Sequence, residues 1–140
     1  MKNLTQINFQ NINKVGIRVD FNVPINDSFQ ITDNTRLIRA KDTIDFILKN
    51  DSKILLLSHF GRPKESFEEK FSFTNLIDQF SNILGYEIQL LPYEEFLQNG
   101  LQQFKKGTNK ITLLDNIRFF EGEKKNDKSF SQSITNELDL

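Results

Sequence analysis

The chain contains no cysteine. Disulfides, cysteine-ligated zinc and thiol nucleophiles are therefore excluded. Its single histidine, His59, has no evident partners for a metal site, and none is expected. Charge of one sign is not in excess either. The formal net charge is -1, so there is no broad basic field of the kind that nucleic-acid binders rely on, and no nucleic acid is expected as a partner. The longest aliphatic run, Ile54 to Leu57, falls far short of the roughly 20 residues that a helix needs to cross a bilayer. Met1 to Gln6 lacks the apolar core of a signal peptide. The expectation is a soluble, cytoplasmic protein. Gly-x-x-x-x-Gly-Lys-Ser/Thr and Gly-x-Gly-x-x-Gly are both missing, so no loop in the chain looks like a nucleotide-phosphate cradle.

The 140 residues suit a single domain. At this size a chain can bury roughly 70% of the surface exposed by its unfolded form, enough for a real core. Only five of the 18 basic residues are arginines: Arg18, Arg36, Arg39, Arg62 and Arg118. Lysine serves the general surface. The sparse arginines sit mostly at helix starts and strand ends, where a planar guanidinium can grip a phosphate bidentately.

Apolar periodicity gives the organisation. Val15 to Val19 reads as a first strand around Arg18, which is taken as structural. Asp27-Ser28 makes a turn. Asp33 is placed to cap a helix carrying Leu37, Ala40, Ile44, Ile47 and Leu48 to about Asn50. Lys53 to Leu57 is continuously apolar after its first residue, as a strand buried on both faces should be. Pro63 to Phe71 is a charged loop. Ser72 then caps a helix with a face of Phe73, Leu76, Ile77, Phe80 and Leu84, stopped by Gly85. Tyr86 to Leu91 is the third strand. Tyr93, Phe96, Leu97, Leu101 and Phe104 make a further helical stripe ending at Gly107, and Ile111 to Leu114 is the fourth strand. Asn126 or Asp127 would cap a last helix showing Phe130, Ile134 and Leu138. Glu121, Glu123, Lys124 and Lys125 form a solvated charge run. Alternating strands and helices predict an α/β fold: three layers, α/β/α, around a mostly parallel, Rossmann-like sheet. The closing Glu137-Leu138-Asp139-Leu140 turns apolar, as if another strand were starting.

Three polar strings directly follow these strands: Asp20-Phe21-Asn22-Val23-Pro24, Ser58-His59-Phe60-Gly61-Arg62-Pro63 and Asp115-Asn116-Ile117-Arg118-Phe119. Open parallel sheets bind ligands beyond the carboxyl ends of their strands. The strings therefore point at one polar pocket, and the arginines make it a site for a small anion, a phosphate above all. Arg36 lies in the first turn of its helix, where free N–H groups already favour anions. It either grips such an anion or faces solvent, and Arg39, one turn on, either assists it or makes a surface pair. Asp20 and Asn22 fall on one side of an extended segment and suit a hydroxyl ligand, or they form an Asx turn on their own backbone. His59 is a ligand or a structural histidine. Gly61 lets the backbone turn and approach a ligand. Arg62 and Arg118, each taken alone, could be surface residues.

Together with Ile31-Thr32-Asp33-Asn34-Thr35-Arg36, these strings resemble the N-terminal domain of phosphoglycerate kinase, from about Lys14 to Leu140. The resemblance implies phosphoryl transfer between 1,3-bisphosphoglycerate and ADP, giving 3-phosphoglycerate and ATP in glycolysis. It places Asp20 and Asn22 at the hydroxyl and carboxylate end of the substrate. His59, Arg62 and Arg118 would hold the non-reacting phosphate, and Arg36 would act catalytically on the transferring phosphoryl group. Phe21, Phe60 and Gly61 belong to the same substrate-binding strings. Phe60 stands where the family commonly has leucine, and Asp115 where it commonly has glutamate.

On this resemblance, residues 1–140 are a partial N-terminal, 3-phosphoglycerate-binding domain. Mg-ADP or Mg-ATP would be bound by a second domain outside these residues, with no cofactor held by this stretch. The expectation is that the chain alone does not catalyse. The full-length family is expected to be monomeric, whereas a stretch with an uncovered sheet edge is prone to self-association. Two alternatives stand beside the enzyme piece: a non-catalytic module that binds a phosphorylated metabolite or a partner protein, and a remnant of a decayed gene.

Overall fold

Four strands read from the sequence are present in the computed structural model, which describes residues 3–64, 66–120 and 128–140. They are β1 (Lys14–Arg18), β2 (Lys53–Leu57), β3 (Ile88–Leu91) and β4 (Ile111–Leu114). All pair in parallel, in the order β1-β2-β4-β3. The central strands β2 and β4 carry the longest apolar runs because both their faces are covered.

Successive residues on these strands point to opposite faces. Val15, Ile54, Leu56, Ile111 and Leu113 meet α1 (Thr35–Lys49) and α2 (Ile77–Leu84) on one face. Leu55, Leu91 and Leu114 meet α3 (Tyr93–Asn99), α4 (Gln102–Lys106) and α5 (Lys128–Thr135) on the other. The result is the expected α/β/α sandwich.

Several boundaries differ from the sequence reading. The stripe from Tyr93 to Phe104 is two helices, because Gly100 takes φ 58° and ψ -130° and breaks the run. Phe96, Leu101 and Phe104 are buried, but Leu97 is 59% exposed. Asp33 caps one step early. Its carboxylate accepts from the Thr35 N–H at 2.8 Å and the Thr35 hydroxyl at 2.6 Å, and Asn34 occupies the cap position without a side-chain bond. Ser72 accepts from the Thr74 N–H and opens a single 3-10 turn, Phe73–Asn75, ahead of α2. Gly85 ends α2 with φ 76°, as the glycine stop predicts.

The last helix ends at Thr135, so Leu138 lies beyond it. Residues 138–140 turn onto the free edge of β1. The Asp139 N–H donates to the Lys14 carbonyl at 2.8 Å, and the Gly16 N–H donates to the Leu140 carbonyl at 2.8 Å. A terminal methyl of Leu138 occupies the space where a Cβ at Gly16 would lie. Residues 138–140 thus cover part of the β1 edge. Asn126, Asp127 and the charge run from Glu121 to Lys125 lie outside the described residues.

Candidate anion-binding site at the carboxyl end of the sheet

The connections after β1 and β2 return over the α1/α2 face, whereas those after β3 and β4 return over the opposite face. Adjacent strands β2 and β4 therefore send their chains to opposite sides. Such a switch point opens a crevice at the carboxyl ends of the strands, where α/β sheets bind ligands. The Ser58–Pro63 and Asp115–Phe119 strings flank it directly.

Buried polar groups lace the three loops together. Ser58, fully buried, accepts from the Phe21 N–H at 2.9 Å through Oγ, and its carbonyl accepts from the Ile117 N–H at 3.0 Å. Asn22 Oδ1 accepts from the Gly61 N–H at 3.0 Å. Asn116 Oδ1 accepts from the N–H groups of Phe60 and Arg118, each at 3.1 Å. Its Nδ2 donates to the carbonyls of Phe60 at 2.6 Å and Phe71 at 3.0 Å. Asp115 accepts from the Ser72 hydroxyl at 2.7 Å, the Phe73 N–H at 2.8 Å and the Asn116 N–H at 2.9 Å. Burial pushes the Asp115 carboxyl above its ordinary value, and those three donors partly offset the rise.

Each candidate residue now has a place. Asp20 and Asn22 form the Asx turn, with Asp20 Oδ1 accepting from the Asn22 N–H at 3.3 Å. Arg36 does not simply face solvent. Its guanidinium Nη1 donates to the Asn22 carbonyl, and Nε lies 3.4 Å from Asp20 Oδ2. The pair remains open to water, with the two side chains 45% and 60% exposed. Phe21 and Phe60 are core residues: Phe21 packs on Phe80, and Phe60 on Phe71 and Phe73. The N–H donors of Phe21, Phe60 and Gly61 are all spent inside the protein. Gly61 takes φ 61° with the Phe71 ring against it, so a side chain there would meet both strain and a clash. His59 is half-buried, Arg62 exposed and Arg118 half-buried.

A cavity of about 270 Å³ opens beside Arg36, lined by Arg18, Asp20, Arg36, Arg39 and Thr43 among others. Arg62 and Arg118 do not line it; the Asn116 links hold their loops together on the neighbouring part of the rim. Arg18 and Arg39, read from the sequence as a structural residue and as an assistant of Arg36 or a surface pair, thus share a cavity wall with Arg36. The bridging roles of Ser58 and Asn116 had a signal in the sequence: a polar residue in the turn after an apolar strand that becomes buried must find partners.

A phosphoglycerate kinase family profile matches residues 4–140. A phosphoglycerate kinase of Prochlorococcus marinus (strain MIT 9515) is 40% identical over 131 residues, 91% of this chain and 32% of that relative. The enzyme of that name from Pseudothermotoga lettingae is 36% identical over 143 residues, all of this chain and 36% of its own length. The chain therefore spans about a third of the relatives it matches. Among solved structures, phosphoglycerate kinase from Coxiella burnetii aligns with a TM-score of 0.77 and 28% identity, over 97% of this chain and 33% of that one. The Pyrococcus horikoshii enzyme shares the fold, with a TM-score of 0.78 at 19% identity. Polar strings after β1, β2 and β4, a parallel sheet switching direction between them and a match over nearly every residue converge on one assignment: the chain belongs to the phosphoglycerate kinase family.

Proposed function

We propose that residues 1–140 form the triose-phosphate half of a phosphoglycerate kinase, binding 3-phosphoglycerate or the non-nucleotide end of 1,3-bisphosphoglycerate at the β2/β4 switch point. The observation supporting this reading is the lacing of the three strand-end loops, whose backbones a hydrogen-bonded frame ties together; Asp20, His59, Arg62 and Arg118 belong to those loops, and Arg36 reaches the first of them through Asp20 and Asn22. Asp20 and Asn22 take the hydroxyl and carboxylate end of the substrate. His59, Arg62 and Arg118 neutralise the phosphate that does not react. Arg36, at the first turn of α1, faces the phosphoryl group that moves between the acyl oxygen and the nucleotide. Phosphoryl transfer spreads charge over equatorial oxygens, and a pre-positioned guanidinium stabilises that charge without reorganising.

The sequence carries no glycine-rich phosphate loop, and on this reading the Mg-nucleotide belongs to residues outside this stretch. The chain alone binds and does not turn over. No helix among the described residues is long and apolar enough to cross a membrane.

The test is calorimetric titration of this chain with 3-phosphoglycerate. Saturable binding is expected, weakened about 10–150-fold in R62A and in R118A, because a charge-assisted hydrogen bond contributes roughly 1.5–3 kcal/mol. Unchanged affinity in R36A, R62A and R118A together would reject the site. ATP formation from 1,3-bisphosphoglycerate and Mg-ADP by the chain alone at ordinary turnover would reject the binding-only role.

A further inference from the structure

We infer that Asn116 is the positioning residue that sets Arg118 against the His59–Arg62 loop. The inference rests on the substrate reading above and deepens it. A carboxamide has two donor and two acceptor positions, and Asn116 uses all four. Its oxygen takes the N–H groups of Phe60 and Arg118, one from each side of the crevice. Its nitrogen holds the carbonyls of Phe60 and Phe71. The side chain is fully buried, so water cannot replace any of these bonds. Phe60 is held through both its N–H and its carbonyl, and Arg62 lies two residues on. Arg118 is held at its own N–H. One neutral side chain thus ties the backbones of two candidate phosphate-binding arginines to a single fixed group.

Position in the topology adds to this. Asn116 follows β4, and the loop it grips follows β2, so it spans the switch point itself. The other buried bridges share part of this work. Ser58 joins the β1 loop to the β2 loop through Phe21, and its carbonyl also takes the Ile117 N–H of the β4 loop, while Asp115 joins β4 to the Ser72–Phe73 turn. Asn116 alone among them hydrogen-bonds the Arg118 N–H. No shorter or longer side chain reproduces two donors and two acceptors in that space: aspartate lacks the donors, and glutamine carries an extra methylene into a filled site.

A double-substitution cycle tests the inference by titrating 3-phosphoglycerate into wild type, R118A, N116A and N116A/R118A, with R62A combined in the same way. I54V serves as a control that destabilises the same sheet from the core without touching either loop. Thermal unfolding identifies the folded variants. If Asn116 positions the arginines, R118A weakens binding about 10–150-fold in wild type and in I54V, but less than about threefold once Asn116 is alanine. N116D sets a buried carboxylate oxygen against the Phe60 and Phe71 carbonyls, so it weakens binding at least as much as N116A. Full R118A and R62A effects persisting in the N116A background overturn the inference and leave the substrate reading intact. Absence of both the R62A and the R118A effect in wild type overturns the inference, and absence of the R36A effect as well overturns the substrate reading. Should N116A not fold, N116S, which lacks the carboxamide, carries the cycle, and undiminished arginine effects there count against the inference in the same way.

Discussion

The two ends of the sheet are both polar, yet they spend polarity differently. At the carboxyl end the buried frame is built from Ser58, Asn116, the Asn22 amide and one carboxylate, Asp115. Arg36, Arg62 and Arg118 sit on that frame with part of each side chain open to water. At the amino end the charges themselves close the structure. Lys53 Nζ donates to the carbonyls of Phe104 at 2.7 Å and Gly107 at 2.6 Å, capping α4. Asp139 accepts the N–H groups of Asn13 and Lys14 at 2.8 and 3.0 Å. Lys105 pairs with Glu137 at 2.8 Å, and Lys110 with Asp51 at 3.0 Å. The carboxyl end holds its loops with amides, a hydroxyl and one carboxylate and leaves its arginines at the surface, whereas the amino end spends its lysines on carbonyls and carboxylates of the fold. On the proposed reading the first end is the one that binds the anion.

The sharpest break of this contrast is Asp115→Ala. It leaves the Ser72 hydroxyl and the Phe73 and Asn116 N–H groups without their acceptor, and stability should fall by about 2–4 kcal/mol in urea unfolding. The pH dependence has a definite sign. Burial raises the Asp115 carboxyl in the folded chain, so its contribution is fully present below the ordinary value of 3.8 and is lost as pH rises through the raised one. Wild type should therefore lose stability relative to D115N across that interval. Next comes Arg36→Ala. Affinity for 3-phosphoglycerate should drop about 10–150-fold, while stability changes by less than about 1 kcal/mol, because the pair with Asp20 is water-exposed. Lys53→Met should do the reverse, costing about 1–2 kcal/mol through the lost helix cap and leaving affinity unchanged. A drop in affinity there would erase the distinction between the two ends.

The mildest effect is acidification of the terminal strap. The Asn13 and Lys14 N–H groups lower the Asp139 carboxyl, and the Lys105 ammonium lowers that of Glu137. Their support is present above the ordinary values of 3.8 and 4.5 and is lost as pH falls through the lowered ones. Amide exchange at Gly16 should accelerate there before exchange in β2 and β4.

Much of this was legible in the chain. Lys53–Leu57 and Ile111–Leu114 stand where their apolar runs place them, because strands buried on both faces leave an unbroken signature. The helical stripe through Leu97 misled, since periodicity cannot show that Gly100 ends one helix and resets the next. The rim strings were readable as polar residues after strands, and Arg36 as a helix-start cation. Hidden were the partners: nothing in one dimension says that Asn116 reaches Phe60 and Phe71, or that the Arg36 guanidinium lies on Asp20 and Asn22. Those contacts join residues 14 to 56 positions apart, and only the folded sheet brings them into range.

One consequence lies in the aromatic inventory. The chain has no tryptophan and two tyrosines, and the sheet separates them. Tyr86 packs with the α1/α2 core and donates its hydroxyl to Asp45. Tyr93 stacks on Phe67 and meets Phe119 and Phe120 on the opposite side. Each layer therefore carries a single native fluorophore, so replacing either tyrosine by phenylalanine leaves an optical signal that reports the melting of one layer alone.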